Sequence, residues 1–246
     1  MNFELSEEQL MIQDSATRLG KKFGLEYWRD LDSKKKYPEK IWTAICEAGF
    51  CGVAIPEQYG GSGLGMLELA IAVEALCGAG GGSTLSQVFM LNPIFGGISL
   101  SRFASQEMRG ELIPLLVSGK TTFAMGLTEP DAGTNTLAMR SFAKRDENGW
   151  LLNGQKIWIT AVPQANKILI VARTKNLEEV TRKTDGISLF MIDVERTGLT
   201  HHAIEKVGTN TLPASSVFFD NVRIERDEII GDEHCGFGPL LDVLNT

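Results

Sequence analysis

Apolar residues in the first part of the chain recur with the period of an α-helix. Ser6, followed by Gln9 three positions later, predicts a helix start with reciprocal side-chain capping. The apolar positions that follow share one helical face: Ile12, Ala16, Leu19 and Phe23. Gly24 is the predicted end of this helix, because glycine readily adopts the conformation that closes helices.

The helical period continues to about residue 120. Pro38 suits the first turn of a second helix. Met66–Cys77 is apolar almost all round, which predicts a buried helix, and Thr84–Leu100 is a further apolar helical stretch. Ser105 is expected to cap a last helix that ends at Gly119. Residues 1–120 are therefore predicted to form an all-α helical N-terminal domain.

From Thr121 the apolar period changes to two, which indicates β-strands. The predicted strands are 121–127, 138–145, 150–153, 155–160, 167–174, 187–193, 199–206 and 214–224. Short strands separated by turn signals predict a small antiparallel β-barrel or sandwich over residues 121–233. Phe237–Leu244 is apolar and helical in period, so residues 234–246 are expected to begin a C-terminal helical domain that is cut off.

Two phrases at the junction carry the candidate chemistry. The first is a strand that Pro130 must end, since proline cannot donate to a sheet ladder. The loop after it, which contains Gly133 and Thr134, offers hydroxyls and free N–H groups that can hold phosphate oxygens or a heterocycle edge. An ordinary strand-end turn explains the same residues.

The second phrase is Asn153-Gly154-Gln-Lys-Ile-Trp-Ile-Thr160. Asn153-Gly154 predicts a type I′ hairpin turn. Alternation then predicts two faces: Lys156, Trp158 and Thr160 on an open one, Ile157 and Ile159 on the core one. Trp158 can back a flat ring and a hydroxyl can bond to a ring nitrogen, although a half-buried sheet tryptophan is the simpler interpretation.

Together these phrases resemble the acyl-CoA dehydrogenase flavoprotein family. The matching residues are Thr128-Glu129-Pro130, Ala132-Gly133, Asn153-Gly154, Lys156 and Trp158-Ile159-Thr160, and Thr134 replaces the usual serine but keeps its hydroxyl. The loop Pro56-Glu57-Gln-Tyr-Gly-Gly-Ser-Gly63 also resembles a family loop. The tract from Lys206 to Val222 is similar too, but it departs from the family's Arg, Ser and Thr at Asn210, Leu212 and Ala214.

The resemblance implies FAD as the cofactor and an acyl-CoA thioester as the substrate, dehydrogenated between Cα and Cβ. It places Trp158 behind the flavin ring, Thr160 near the reactive flavin nitrogen, and Thr134 also beside the acyl-CoA. The full set of implied cofactor-binding residues is Phe123, Met125, Leu127, Thr128, Gly133, Thr134, Trp158, Ile159 and Thr160. The implied electron acceptor is an electron-transfer flavoprotein, and the implied assembly is a homo-oligomer, dimer or tetramer.

The family's catalytic base is a glutamate in the C-terminal helical domain. Nothing in residues 1–246 matches it, so the sequence predicts no catalytic residue and a chain that is a fragment of a longer protein. An oxidase or flavin monooxygenase of the same architecture remains open, because oxygen access is a property of the cavity. A non-catalytic scaffold that binds CoA or a protein partner is also compatible with the missing carboxylate.

The composition excludes few classes of function and location. The net charge of −7 argues against a nucleic-acid surface. Four cysteines without a CxxC pair indicate reduced thiols, and the three histidines show no metal-ligand pattern. The acidic N-terminus lacks the apolar core of a signal peptide, and no apolar run looks long enough to span a membrane. We therefore expect a cytoplasmic protein, with an organelle matrix as the alternative.

Overall fold

The computed structural model describes residues 4–246. The α-helices run over Glu7–Lys21 (α1), Leu25–Ser33 (α2), Glu39–Glu47 (α3), Met66–Leu76 (α4), Gly82–Phe89 (α5), Ser99–Phe103 (α6), Gln106–Val117 (α7) and Phe237–Leu244 (α8). The strands run over Phe123–Gly126 (β1), Phe142–Asp146 (β2), Gly149–Thr160 (β3), Lys167–Arg173 (β4), Ile187–Asp193 (β5), Leu199–Ile204 (β6), Ala214–Glu225 (β7) and Ile229–Ile230 (β8). The predicted order of helices, then strands, then a final helix is confirmed.

The helical part follows the predicted caps, with one helix added. Ser6 and Gln9 form the reciprocal capping box, and Ser105 accepts a hydrogen bond from the N–H of Met108. Gly24 does not close α1 but precedes α2, a helix that the sequence analysis missed. Trp28 is the buried residue of this helix, whereas Leu25 is exposed together with charged residues, so a single strong apolar anchor marks the helix in the sequence.

The segment from Met66 to Phe103 is one long, interrupted helical run. Gly80, with φ of 131°, breaks it between α4 and α5, and π-helical turns over Met90–Ile98 join α5 to α6. By length and composition alone it could cross a membrane, which corrects the expectation that no apolar run is long enough. Helices in the core of a folded domain pass the same test, and Leu76 here is fully buried. The α4 helix is not buried all round, however, because Leu67 is 58% exposed.

The β-structure is a single eight-stranded sheet in the order β6-β7-β3-β2-β4-β5-β8, with β1 paired to β4 off this path. Most pairings are antiparallel, whereas β1 and β2 each run parallel to β4. The parallel pairing of β1 follows from the connection after it, which crosses over through β2 and β3 before β4 returns alongside. The end of β1 and the end of β3 are thereby brought into one region.

Two hydrophobic cores lie on opposite faces of the central strands. The shared core joins helical residues such as Leu116 to Leu169 and Val171 of β4. The sheet core holds the alternate residues Ile168 and Ile170, with Trp150 and others. A strand that is buried on both faces has a continuous apolar sequence, as β4 does.

The division at residues 120 and 233 into separate domains stays a prediction.

One polar side chain ties the helices to the start of the sheet. Asn92 is buried, accepts a hydrogen bond from the N–H of Phe123 at 2.8 Å and donates to the carbonyl of Val88 at 2.9 Å. Gly96 lies against the Phe123 ring so closely that a Cβ there would be 2.7 Å from it. The entry into β1 is therefore fixed against the helical run.

The expected lack of a signal peptide rests partly on residues 1–3, which lie outside the described residues.

Candidate functional site

The predicted hairpin at Asn153-Gly154 is wrong, because both residues lie inside the continuous strand β3. The turn that reverses the chain comes earlier, after β2, and β3 begins at Gly149. Gly154 has φ of 140°, and the register with β7 shifts between Leu152 and Gly154. An added Cβ on Gly154 would lie 2.7 Å from the Ser141 backbone. Glycine is therefore suited to a β-bulge with a close backbone neighbour. An Asn-Gly pair is compatible with this bulge as well as with a hairpin turn, so the sequence alone does not distinguish the two.

A second irregularity of β3 creates the candidate site. Lys156 pairs with Val217 and Ile159 with Ser215, so two residues of β3 stand opposite one residue of β7. Trp158, in this bulge, has φ of 62° and is 55% exposed. A left-handed conformation at a bulky residue is strained and is concentrated at functional sites. The bulge turns the indole outward from a strand whose neighbouring residue Ile159 is buried.

The bulge also overturns the predicted alternation of this strand. Lys156 is fully buried and does not share the open face of Trp158. Thr160 is half-buried beyond the bulge, and Ala161 after it again has a positive φ, of 60°. At each positive-φ residue, the alternation of side chains between the two faces of the strand is interrupted. A period of two along the sequence does not reveal either interruption. The predicted partnership of Trp158 with Thr160 stays a prediction.

The loop after β1 lies directly beside the bulge. The carbonyl of Thr128 accepts a hydrogen bond from the N–H of Ile157 at 2.9 Å. Further along the loop, Gly133 and Thr134 are exposed. Among residues 4–246, no hydrogen-bond partner is found for their backbone N–H groups or for the Thr134 hydroxyl. The loop therefore presents free donors next to an exposed aromatic plate.

A buried ion pair holds the base of this loop. Lys156 Nζ donates to Glu129 Oε1 at 2.8 Å and to the carbonyl of Leu127 at 3.0 Å. The Glu129 carboxylate also accepts from the N–H groups of Arg140, at 2.6 Å, and Ser141, at 3.0 Å. The two charged side chains are 0% and 6% exposed. Glu129 and Lys156 were both matched to the family from the sequence, but they were not predicted to pair. The presence of a charged residue at each of these positions is the available sequence signal for the pairing.

Burial and charge act in opposite directions on this pair. Burial raises the pKa of the Glu129 carboxyl, but the charge of Lys156 and the donors around the carboxylate outweigh it, so that its pKa lies below the ordinary value. Burial lowers the pKa of the Lys156 ammonium, and the charge of Glu129 only partly restores it. The donors converging on the carboxylate support an ionised pair at neutral pH.

The lowered pKa of Glu129 predicts a pH-dependent contribution to stability. A carboxyl with a lowered pKa in the folded state stabilises fully above its ordinary value of 4.5 and loses this contribution as the pH falls through the folded-state value. We compare the wild type with the neutral double variant E129Q/K156M, in which neither position titrates. The difference in free energy of unfolding between them should be constant from about pH 7 to 5. At lower pH the wild type should lose stability relative to the double variant. Urea unfolding measures it, and a difference that stays flat in acid would show that Glu129 is not paired as described.

The predicted cofactor-binding residues divide by exposure. Leu127, Thr128 and Thr160 are half-buried, whereas Gly133, Thr134 and Trp158 are exposed. The remaining three are buried: Phe123, Met125 and Ile159. The described contacts therefore bring the loop and the bulge together, and the three buried side chains support the site from the cores.

The tract that departs from the family pattern joins the sheet to the helices. Asn210 bonds to the Asp32 carboxylate of α2 through its backbone N–H at 2.8 Å and its side chain at 3.1 Å. The Thr211 hydroxyl meets that of Thr84 at 3.1 Å, and Leu212 is fully buried. Asn210, one of the substituted residues, thus binds this tract to α2. Among residues 4–246, no three His, Cys, Asp or Glu side chains are grouped so as to hold a metal ion.

Comparison with known proteins assigns this arrangement to a family. Sequence models of the acyl-CoA dehydrogenase N-terminal and middle domains match residues 6–120 and 124–222. Acyl-CoA dehydrogenase FadE12 of Mycobacterium tuberculosis is 30% identical over 244 residues, which is 99% of this chain and 61% of the relative. The chain thus spans less than two thirds of that relative's length.

Solved structures agree with the sequence comparison. A glutaryl-coenzyme A dehydrogenase in complex with glutaryl-CoA superposes with a TM-score of 0.93 at 29% identity, covering 100% of this chain and 62% of the other. The FAD complex of PigA superposes with a TM-score of 0.91 at 31% identity, covering 99% of this chain and 63% of the other. The chain belongs to the acyl-CoA dehydrogenase family, whose N-terminal and middle domains it contains.

Proposed function

We propose that this protein binds FAD on the face formed by the β3 bulge and the loop after β1, and that it takes part in the α,β-dehydrogenation of an acyl-CoA thioester. The observation that carries the proposal is the exposed indole of Trp158, held in a left-handed bulge beside a loop with free donors. These features fit FAD, which has a flat ring system and an anionic pyrophosphate. An exposed aromatic plate suits the ring, and unpaired N–H groups suit phosphate oxygens.

Each residue of the face has a role that its placement allows. Trp158 stacks against the flavin ring, and the hydroxyl of Thr160 donates to a ring nitrogen. Thr128, Gly133 and Thr134 offer donors to the ring edge and the pyrophosphate, and Thr134 also faces the acyl-CoA. Phe123, Met125 and Ile159 are buried, so they contribute through their backbone and by supporting their neighbours.

We place the base that removes the α-proton outside residues 1–246. Glu129, at the start of the loop after β1, is buried and ion-paired, and it already accepts two backbone hydrogen bonds. A carboxylate held in this way is a poor proton acceptor, because its lowered pKa weakens it as a base. Asp131 is exposed and pairs with Arg140 at 3.8 Å. Bound FAD would supply the hydride acceptor for the β-carbon.

The electron acceptor distinguishes the dehydrogenase from the oxidase alternative. We propose that a homo-oligomer of the full-length protein passes its electrons to an electron-transfer flavoprotein. The full-length protein, loaded with FAD, should reduce this acceptor in the presence of acyl-CoA thioesters. Rapid formation of hydrogen peroxide in air, with no transfer to the flavoprotein, would favour the oxidase. FAD binding without turnover of any thioester in a panel of chain lengths would favour the scaffold.

A further inference from the structure

The Glu129–Lys156 pair is a buried, charged part of the site, in contrast to the exposed indole of Trp158 and the exposed loop residues. Its position in the chain is nevertheless central. Lys156 lies two residues before Trp158, on the same strand. Glu129 lies at the start of the loop that contains Gly133 and Thr134, and its carboxylate also receives the N–H groups of Arg140 and Ser141.

These contacts close the loop at its base. The carbonyl of Leu127 and the carboxylate of Glu129 mark where the chain leaves β1, whereas Ser141 marks where it enters β2. The Leu127 carbonyl and the Glu129 carboxylate both accept hydrogen bonds from the Lys156 ammonium, and the N–H of Ser141 donates to the Glu129 carboxylate. The residues between them, 130–139, are thereby held at both ends from the strand that contains Trp158.

Stability alone is a weak reason for such a pair. Two charges lose their hydration on burial, and replacing a buried pair by apolar residues of similar size is often neutral or stabilising. What a buried pair supplies is a fixed geometry, since misplacing either partner leaves an uncompensated charge. The geometry fixed here is the position of the loop relative to the bulge.

We propose that Glu129 and Lys156 are positioning residues that set the loop donors and the Trp158 plate at the spacing that FAD requires. The proposal rests on the proposed function, since it assigns FAD to this face. Neither side chain is placed against the cofactor, because both are buried. Both act through the loop residues Gly133 and Thr134 and through the bulge.

The experiment compares variants of this pair with a matched pair elsewhere in the same sheet. E129Q removes one charge, and E129Q/K156M removes both, so the double variant leaves no unpaired buried charge if E129Q alone does not fold. The control is E228Q, because Glu228, directly before the edge strand β8, pairs with Arg196, with side chains 14% and 18% exposed. FAD affinity is measured by titration, and backbone amide exchange is measured in the flavin-free protein.

We expect the Glu129 variants to bind FAD about 10-fold more weakly or worse, comparable to the loss on removing a residue that orients a metal ligand. Amide exchange of the hydrogen-bonded loop residues Ala132, Met139, Arg140 and Ser141, and of Ile157 in the bulge, should accelerate in the same variants. E228Q should change neither, whatever its melting temperature. A purely structural pair would lower the melting temperature without this local pattern.

Three results would overturn the proposal: equal effects of E129Q and E228Q on FAD affinity, unchanged exchange in the loop, or faster exchange with unchanged affinity. If the wild-type protein does not bind FAD, the proposed function fails. The exchange comparison still decides whether the pair holds the loop, so the two failures are distinguishable.

Discussion

Residues 1–246 alone are expected to dehydrogenate acyl-CoA thioesters at least about 10²–10⁴-fold more slowly than the protein encoded by the complete reading frame, which is the range that general-base catalysis contributes. The two carboxylates of the loop after β1 are both ion-paired, Asp131 with Arg140 and Glu129 with Lys156. Glu129 is committed to Lys156 and to two backbone donors. The site is also an open face, where water weakens each polarising hydrogen bond.

A dye-reduction assay with thioesters of several chain lengths measures this difference, with FAD in excess in both samples. Absorbance of bound flavin must be shown for each, so that loss of cofactor is not mistaken for loss of the base. Comparable turnover by the two proteins would place the base within residues 1–246 and contradict the assignment.

Replacement of Lys156 by methionine is expected to lower the free energy of unfolding by about 3–5 kcal/mol, the usual cost of removing one partner of a buried ion pair. Methionine keeps most of the side-chain volume, so packing changes little. Glu129, however, is left as a buried carboxylate without a counter-charge, and its side chain is only 6% exposed. Urea unfolding at neutral pH measures the loss.

Lys167, on strand β4 of the same sheet, provides the matched control. Its ammonium pairs with Asp193 at 2.8 Å, but the two side chains are 20% and 47% exposed. Exposed pairs contribute about 0–1 kcal/mol, so Lys167→Met should cost far less than Lys156→Met. Adding E129Q to K156M should restore part of the lost stability, because it removes the unpaired charge. Equal losses in the two single variants would contradict the buried pairing.

The periodicity of apolar residues predicted the large-scale fold because burial dictates it. Strand β4 alternates Ile168 and Ile170 in one core with Leu169 and Val171 in the other, so its apolar run has one simple explanation. The helix start at Ser6 was equally local, since Gln9 completes the capping box within one turn. Helix α2 was missed because its tertiary anchor, Trp28, is a single residue.

The site was predictable as a set of residues but not as a geometry. Trp158 and Thr134 were singled out by a resemblance between short phrases, and the structure brings their segments together. The bulge could not be read from the sequence, because it depends on the register of β3 with β7. A one-residue shift moves Lys156 from the open face to the interior, where it meets Glu129 from a different segment.

FAD titration followed by tryptophan fluorescence tests the central claim most directly. Trp158 is 55% exposed, whereas Trp28, Trp42 and Trp150 are buried. FAD is expected to quench the emission of the wild-type protein in a saturable way, and Trp158→Phe should remove most of that quenching and weaken binding. Saturable quenching of unchanged size and midpoint in Trp158→Phe would place the flavin elsewhere and contradict the proposed site.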